Sequence, residues 1–153
     1  MSLVDIAKNF HDHIFSKMSR LGNDIATDMK AGLQAGNHID TGALYESIRS
    51  ETLDSKDTID TYIYADAQSP DGTYYAEFIE LGSGAAHGRP GGRVGTWKYK
   101  DRFGNWHTTD GMDADPFIEP AVDGNIGKYG SLSNLITEAF YDVDKYKRTV
   151  IKP

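Results

Sequence analysis

The tripeptide Asp40-Thr41-Gly42 is the first group in this chain whose residue types could do chemistry. Two such aspartates brought together in a dimer could share one proton and activate a water as an acid–base pair. That chemistry needs the tripeptide in a turn between β-strands. Here it follows one helical pattern and precedes another, where Asp40 or Thr41 serves more simply as a helix cap. Five histidines, His11, His13, His38, His87 and His107, raise the question of a metal. His11 and His13 fall on different faces of a helix, because residues two apart do not face each other. None of the five stands at ligand spacing from another histidine or a carboxylate on a regular element, so solvated side chains are expected, with no metal and no other cofactor. Residues 110–115, Asp-Gly-Met-Asp-Ala-Asp, have the carboxylate density of a calcium loop but lack its distal bidentate glutamate, so they read as a turn ahead of a capped helix. Gly82-Ser83-Gly84 and the glycines of 88–95 match no phosphate-binding spacing and read as a mobile loop.

A concentration of cations and indoles remains. Residues 81–109 hold Arg89, Arg93, Lys98, Lys100 and Arg102 against Asp101 alone, a net of +4, and they hold both tryptophans, Trp97 and Trp106. Residues 1–80 carry six basic and fourteen acidic side chains, a net of −8, and residues 110–153 a net of −3. Arginine and tryptophan are the types that most often anchor interfaces. Separate acidic and basic surfaces on one subunit suit head-to-tail association between copies. The basic stretch is therefore the candidate interaction region, with simple self-stabilisation by facing tryptophans as the competing reading.

The elements that must position these residues follow from periodicity. Leu3, Ile6, Phe10, Ile14, Met18, Leu21, Ile25, Met29 and Leu33 form one apolar stripe at helical spacing, so residues 1–36 predict a long helix, weakened by Gly22 and Gly32 and stopped at Gly36-Asn37. A short helix over 40–50 places Leu44 and Ile48 one turn apart. The β-branched and aromatic residues of 58–65 and 74–81, joined by Ser69-Pro70-Asp71-Gly72, predict a hairpin over 58–81 backed by the long helix. In the glycine-rich basic arm, 82–111, a second hairpin folds about Asp101–Asn105 with Gly104 in the turn. Residues 115–148 predict a C-terminal helical region opening at Asp115-Pro116, broken by Gly124, Gly127 and Gly130 and resumed by the stripe from Leu132 to Val143. Leu44, Ile48, Phe78, Phe117 and Ala121 are the expected shared core. The order predicts one α+β domain, with both helices on a small antiparallel sheet and a protruding hairpin.

Composition narrows the function classes. The net charge of −7 and pI near 5.1 repel phosphates, which argues against duplex binding. The absence of cysteine excludes disulfides and thiolate chemistry, and no apolar run reaches the roughly 20 residues of a membrane helix. A reducing cytoplasm is the expected folding compartment.

Three separated segments together resemble the tail-component (head–tail joining, tail-completion, minor tail protein) family of tailed bacteriophages. Asp40-Thr41-Gly42-Ala43-Leu44-Tyr45-Glu46-Ser47-Ile48 looks like that family's Thr-Gly-x-Leu-x-x-Ser-Ile helix start. The segment from Tyr75 to Gly84, with Glu80 and Gly82, is similar to its Tyr-Ala-x-x-apolar-Glu-apolar-Gly-Ser-Gly strand. Pro116-Phe117-Ile118-Glu119-Pro120-Ala121 resembles its Pro-Phe-apolar-x-Pro-Ala helix opening. The likeness spans roughly residues 1–123, and the 92–111 hairpin is longer than the family's usual loop. Read physically, Thr41 caps, Gly42 leaves room for close backbone approach, and Glu80 points from the core face toward a partner. The resemblance implies a non-enzymatic virion subunit, made in the host cytoplasm. It would form a ring of its own copies, hexamer favoured over dodecamer, between a head-completion or connector protein and the tail tube or tail terminator. Genomic DNA would pass without specific binding. The alternatives are a dimeric aspartyl protease using Asp40, and a small phage-encoded host-interaction module.

Overall fold

The computed structural model describes residues 2–101 and 103–130. Arg102, the stripe from Leu132 to Val143 and the cations Lys145, Lys147 and Arg148 lie outside them. The class is α+β, with helices α1 (Leu3–Ala35), α2 (Ala43–Ser47), α3 (Ala76–Leu81) and α4 (Ile118–Tyr129). Strands β1 (Ile48–Asp54) and β2 (Ile59–Ala65) form one antiparallel pair, and β3 (Trp97–Lys100) and β4 (Trp106–Thr109) form another. Among the described residues no helix is long and apolar enough to cross a membrane.

The described residues gather into two compact units. One takes the chain up to Thr27, Arg49–Tyr64 and the described residues from Val122 on; the other takes Asp28–Ile48 and Ala65–Ala121.

In the first unit, Ser2 starts α1 by accepting from the Asp5 amide at 3.2 Å while Asp5 accepts back from the Ser2 amide at 2.7 Å, a reciprocal cap. The β1–β2 hairpin lies against α1. A methyl group on Gly22 would stand 2.6 Å from Thr61 Cγ2, so the glycine serves close approach of the sheet, and the helix runs through it unbroken. Beside it the Ser50 hydroxyl donates to Asn23 Oδ1 at 2.6 Å, and His11 pairs with Asp54 at 3.0 Å. Lys128 and Tyr129, at the end of α4, both reach the Asp24 carboxylate, at 3.1 and 2.6 Å. The Tyr129 hydroxyl first, then Lys128, holds Asp24 below the usual carboxylate range.

In the second unit, Met29, Leu33, Leu44, Ile48, Ala76, Ile79, Phe117 and Ala121 are buried. The end of α1 is closed by Asn37 at φ 57°, with its amide on Gln34 O at 3.1 Å and the His38 amide on Leu33 O at 3.0 Å. This is the helix stop in which a left-handed residue lets the last carbonyls find partners.

Several expectations are corrected. Residues 74–81 are not a strand paired with 58–65: β2 pairs with β1, and the segment folds as α3 with Ala76 and Ile79 buried one turn apart. The Ser69–Gly72 turn does form, yet the ladder beyond it is a single bridge, Gln68 to Tyr74. The short helix stops at Ser47, because Ile48 is already extended, at φ −72° and ψ 116°. Helix α4 begins at Ile118 rather than at Pro116, and it passes through Gly124 and Gly127 to end before Gly130. Phe78 is half-buried, beneath the Arg89 guanidinium, while the other four expected core residues are fully buried.

Candidate functional site

Glu80 is the hinge of the second unit's geometry. Its carboxylate accepts from the amides of Phe117 and Ile118 at 2.8 Å each and of Glu119 at 2.9 Å. These are free donors of the first turn of α4, where a negative group also suits the helix dipole. The expectation that Glu80 faces a partner is thus overturned: as part of a helix rather than a strand, it turns inward and caps α4. Pro116 precedes that turn and Pro120 lies within it, where a missing amide costs no hydrogen bond.

The first motif enters the same unit. Thr41 Oγ1 accepts from the Ala43 amide at 3.2 Å, a local turn bond, while the residue preceding α2 is Gly42 at φ 80° with no side-chain cap. Nothing lies within 4 Å of where a Gly42 methyl would stand, so the glycine answers a left-handed backbone and not a close approach. Residues 40–42 are a bend entering a helix, unlike the inter-strand turn that acid–base chemistry at Asp40 would need. Leu44 and Ile48 are buried, and Tyr75 sits half-buried just before α3. Residues 38–45 and 68–70, with Tyr75, line a cleft of about 290 Å³ whose walls include Ile39, Leu44, Tyr45 and Pro70.

From this frame the basic arm projects through a knitted base, not a loose loop. Ser83 and Met112 exchange backbone hydrogen bonds at 2.8 and 3.0 Å, and the Ala85 amide donates to Arg93 O at 2.9 Å. Gly84 and Gly111 lie so close to the opposite strand that an added methyl would meet Asp110 O at 2.0 Å and Ser83 O at 1.8 Å. Gly82 is similarly crowded by Met112 and Ala114. Arg89 is spent here: it donates to Gly82 O at 2.8 Å, pairs with Glu77 and covers Phe78. It stabilises the base, so of the basic stretch read as the candidate interaction region this cation is already used within the subunit.

His87 clamps the base. Its Nδ1 lies 2.7 Å from Asp113 and its Nε2 3.2 Å from Asp110, so both ring nitrogens face carboxylates and both bonds require the imidazolium. Asp113 first, then Asp110, raises the imidazole above its ordinary value of 6.5. Asp110 is lowered from 3.8, chiefly by His87. The histidine's contribution is complete below pH 6.5 and is lost as pH rises through the raised value, whereas that of Asp110 is lost as pH falls below 3.8. The melting temperature of the wild-type chain therefore falls more between about pH 6 and about pH 9 than that of His87→Gln, as scanning calorimetry at both pH values will read. Equal falls in the two proteins contradict the clamp.

The hairpin itself alternates cleanly. Trp97 pairs with Thr109, Lys98 with Thr108, Tyr99 with His107 and Lys100 with Trp106. Directly opposed residues share a face, so Lys98, Lys100, Trp106 and Thr108 form one face, and Trp97, Tyr99, His107 and Thr109 the other. The two tryptophans do not face each other, which removes the self-stabilising aromatic pair. The stacked pair is Tyr99 with His107, ring centres 5.3 Å apart. Arg93 lies over Trp97 at 5.3 Å and Lys100 over Trp106 at 5.1 Å. Asp101 ties the turn, accepting from His107 and the Asn105 amide at 2.8 Å and from the Phe103 amide at 2.9 Å. With His107 as the main cause, its carboxyl stays well below the usual range.

The chain matches no protein-family model, no curated protein and no solved structure. Its site is therefore read from geometry. Spacing alone missed the histidine–aspartate pairs, including His38 with Asp115 at 2.8 Å, because the partners of His11, His38 and His87 lie 23 to 77 positions away in sequence. Among the described residues no group of three or more histidines and carboxylates is arranged to hold a metal ion.

Proposed function

We propose that this chain is a structural subunit of a phage neck or tail-completion ring, joining the head connector to the tail tube while DNA passes. The observation that supports this reading most is the meeting of all three phage-like segments in one unit. Glu80 of the second segment caps the helix opened by the third. Tyr75 of the second lines one cleft with Asp40, Thr41 and Leu44 of the first. Leu44, Ile48, Ala76, Ile79, Phe117 and Ala121 pack into that unit's buried core together with Met29 and Leu33 of α1. Segments that cooperate in one packing arrangement are more informative than three short matches, since local choices that agree with one another are what specify a fold.

The role is mechanical and catalyses nothing. A closed ring, a hexamer in preference to a dodecamer, would meet a head-completion or connector protein on one side and the tail tube or its terminator on the other. The net charge of −7 suits a passage that must not hold phosphates. The β3–β4 arm, with Trp106 65% exposed, is the contact element. Replacing residues 93–109 by a short Gly-Ser linker should leave the Ser83–Met112 base and the buried core in place. The shortened subunit should therefore keep its far-ultraviolet circular dichroism while head-to-tail joining falls by at least about 100-fold, the scale of a lost interface anchor. Normal yields of infectious particles from the shortened subunit would refute the arm's role.

A further inference from the structure

Helix α4 buries one side and leaves the opposite side bare. Ala121 and Asn125, one turn apart, are buried. At 3.6 residues per turn the far side of the helix carries Glu119, Asp123, Ile126 and Gly127. All four are exposed, Ile126 to 52%. Glu119 gives its backbone amide to Glu80, but neither its carboxylate nor that of Asp123 has a partner among the described residues. Lys128, the only cation of the helix, is held by Asp24. The outer face of α4 is thus two unpaired carboxylates one turn apart, followed by an uncovered isoleucine beside a glycine that leaves room for a large side chain.

The β3–β4 hairpin presents the matching pattern. Lys98, Lys100, Trp106 and Thr108 share one face, all are exposed, and no carboxylate stands among them. Lys98 has no partner among the described residues, and Lys100 has only the Trp106 ring, 5.1 Å from its ammonium. The two lysines are two strand residues apart, about 7 Å. The two carboxylates are four helix residues apart, about 6 Å along the axis. The pairs can therefore meet in register, Lys98 at Glu119 and Lys100 at Asp123. Trp106, opposite Lys100 in the ladder, then lies over Ile126 and Gly127.

We propose that this hairpin face of one subunit docks on the outer face of α4 in the next, with both lysines on the two carboxylates and Trp106 closing over Ile126. The inference rests on the ring reading and names the contact between its copies. Because donor and acceptor are different surfaces, the contact is head-to-tail, the kind that builds rings when its rotation closes. Opposite charges orient the encounter, and a buried indole supplies the affinity.

A charge-swap experiment tests it with the full-length chain. Lys98→Glu with Lys100→Glu reverses the arm, and Glu119→Lys with Asp123→Lys reverses the helix face. Either reversed chain alone should be monomeric by analytical ultracentrifugation, its association weakened at least about tenfold against wild type. A single chain carrying all four substitutions restores opposite charges at every junction and should assemble again. Both tryptophans of the chain lie on the hairpin, so emission should shift to the blue when wild type is concentrated. Should a reversed chain fail to fold, Glu119→Gln with Asp123→Asn keeps the side-chain shapes. Its association should also fall at least about tenfold, and what remains should lose its dependence on salt.

A fourfold variant that folds and stays monomeric, or a reversed or neutralised chain that assembles like wild type, would overturn the contact. So would wild-type assembly without a tryptophan shift. A wild-type chain that stays monomeric, while its tryptophans shift on adding a purified connector, tail tube or single-stranded oligonucleotide, gives the hairpin face to another partner and also overturns it. Failure of the ring's role looks different: the wild-type and fourfold chains would both assemble, yet the wild-type subunit would not join heads to tails.

Discussion

Phe117→Ala is expected to destabilise the chain by about 3–5 kcal/mol, the usual cost of emptying a large aromatic site in a core. Phe117 is only 2% exposed. Its Cβ stands 3.0 Å from where a methyl on Gly32 would be, so its backbone is pressed on α1 and cannot settle further inward. The vacated volume is bounded by elements that are themselves fixed, since Leu33 is fully buried and the start of α4 is held by Glu80. Collapse is thereby resisted, which places the cost in the upper part of the range. At about 3 °C per kcal/mol for a chain of this size, the melting temperature falls by roughly 12–15 °C. Urea denaturation followed by far-ultraviolet circular dichroism measures it, and an unchanged midpoint would reject the placement of this residue.

Glu80→Ala is expected to cost about 3 kcal/mol, because it strips the acceptor from three amides at once and leaves two of them partly buried. Glu80→Gln keeps the shape and one acceptor oxygen, and its loss should be roughly half as large. The two variants separate a cap from an interface residue. A cap lost to alanine lowers the stability of the isolated subunit, whereas a partner contact leaves that stability untouched and weakens assembly only. Phe117 and Glu80 meet at the same turn, so the double variant Glu80→Ala/Phe117→Ala should lose less than the two single losses combined.

Much of the α+β arrangement was legible from periodicity and turn chemistry. The stripe from Leu3 to Leu33 is α1, Gly36-Asn37 is its stop, and Asp101–Asn105 is the turn of the arm. Strand β1 was hidden because its half-buried positions are Ser50 and Thr52 rather than apolar residues. Ser50 packs close to α1 at Gly22, and no local pattern announces that approach. Helix α3 was concealed by its composition: Tyr-Tyr-Ala-Glu-Phe-Ile-Glu-Leu suits a pleated surface, but tertiary contacts override the propensity. The turn to helix buries Ala76 and Ile79 together and sets Glu80 under α4.

The arm's cationic character was readable as composition, whereas the use of each cation was not. Arg89 looked equivalent to Arg93, yet it is consumed by Gly82 and Glu77, while Lys98 and Lys100 share one hairpin face with Trp106 and Thr108. The stripe along α1 is covered unevenly within the subunit. Ile25, Met29 and Leu33 are buried, but Leu3 is 84% exposed and Ile6, Phe10 and Ile14 are half-buried. Amphipathic spacing records which face is apolar, not how much of it is covered.

The central claim is that the chain works as a ring subunit at the junction of head and tail. Its most direct test is the native mass of the full-length protein at high concentration, alone and with a purified connector or tail tube. The account predicts one closed oligomer, sixfold in preference to twelvefold, that binds the connector or the tube as a single body. A chain that stays monomeric or dimeric alone and with both partners would contradict it.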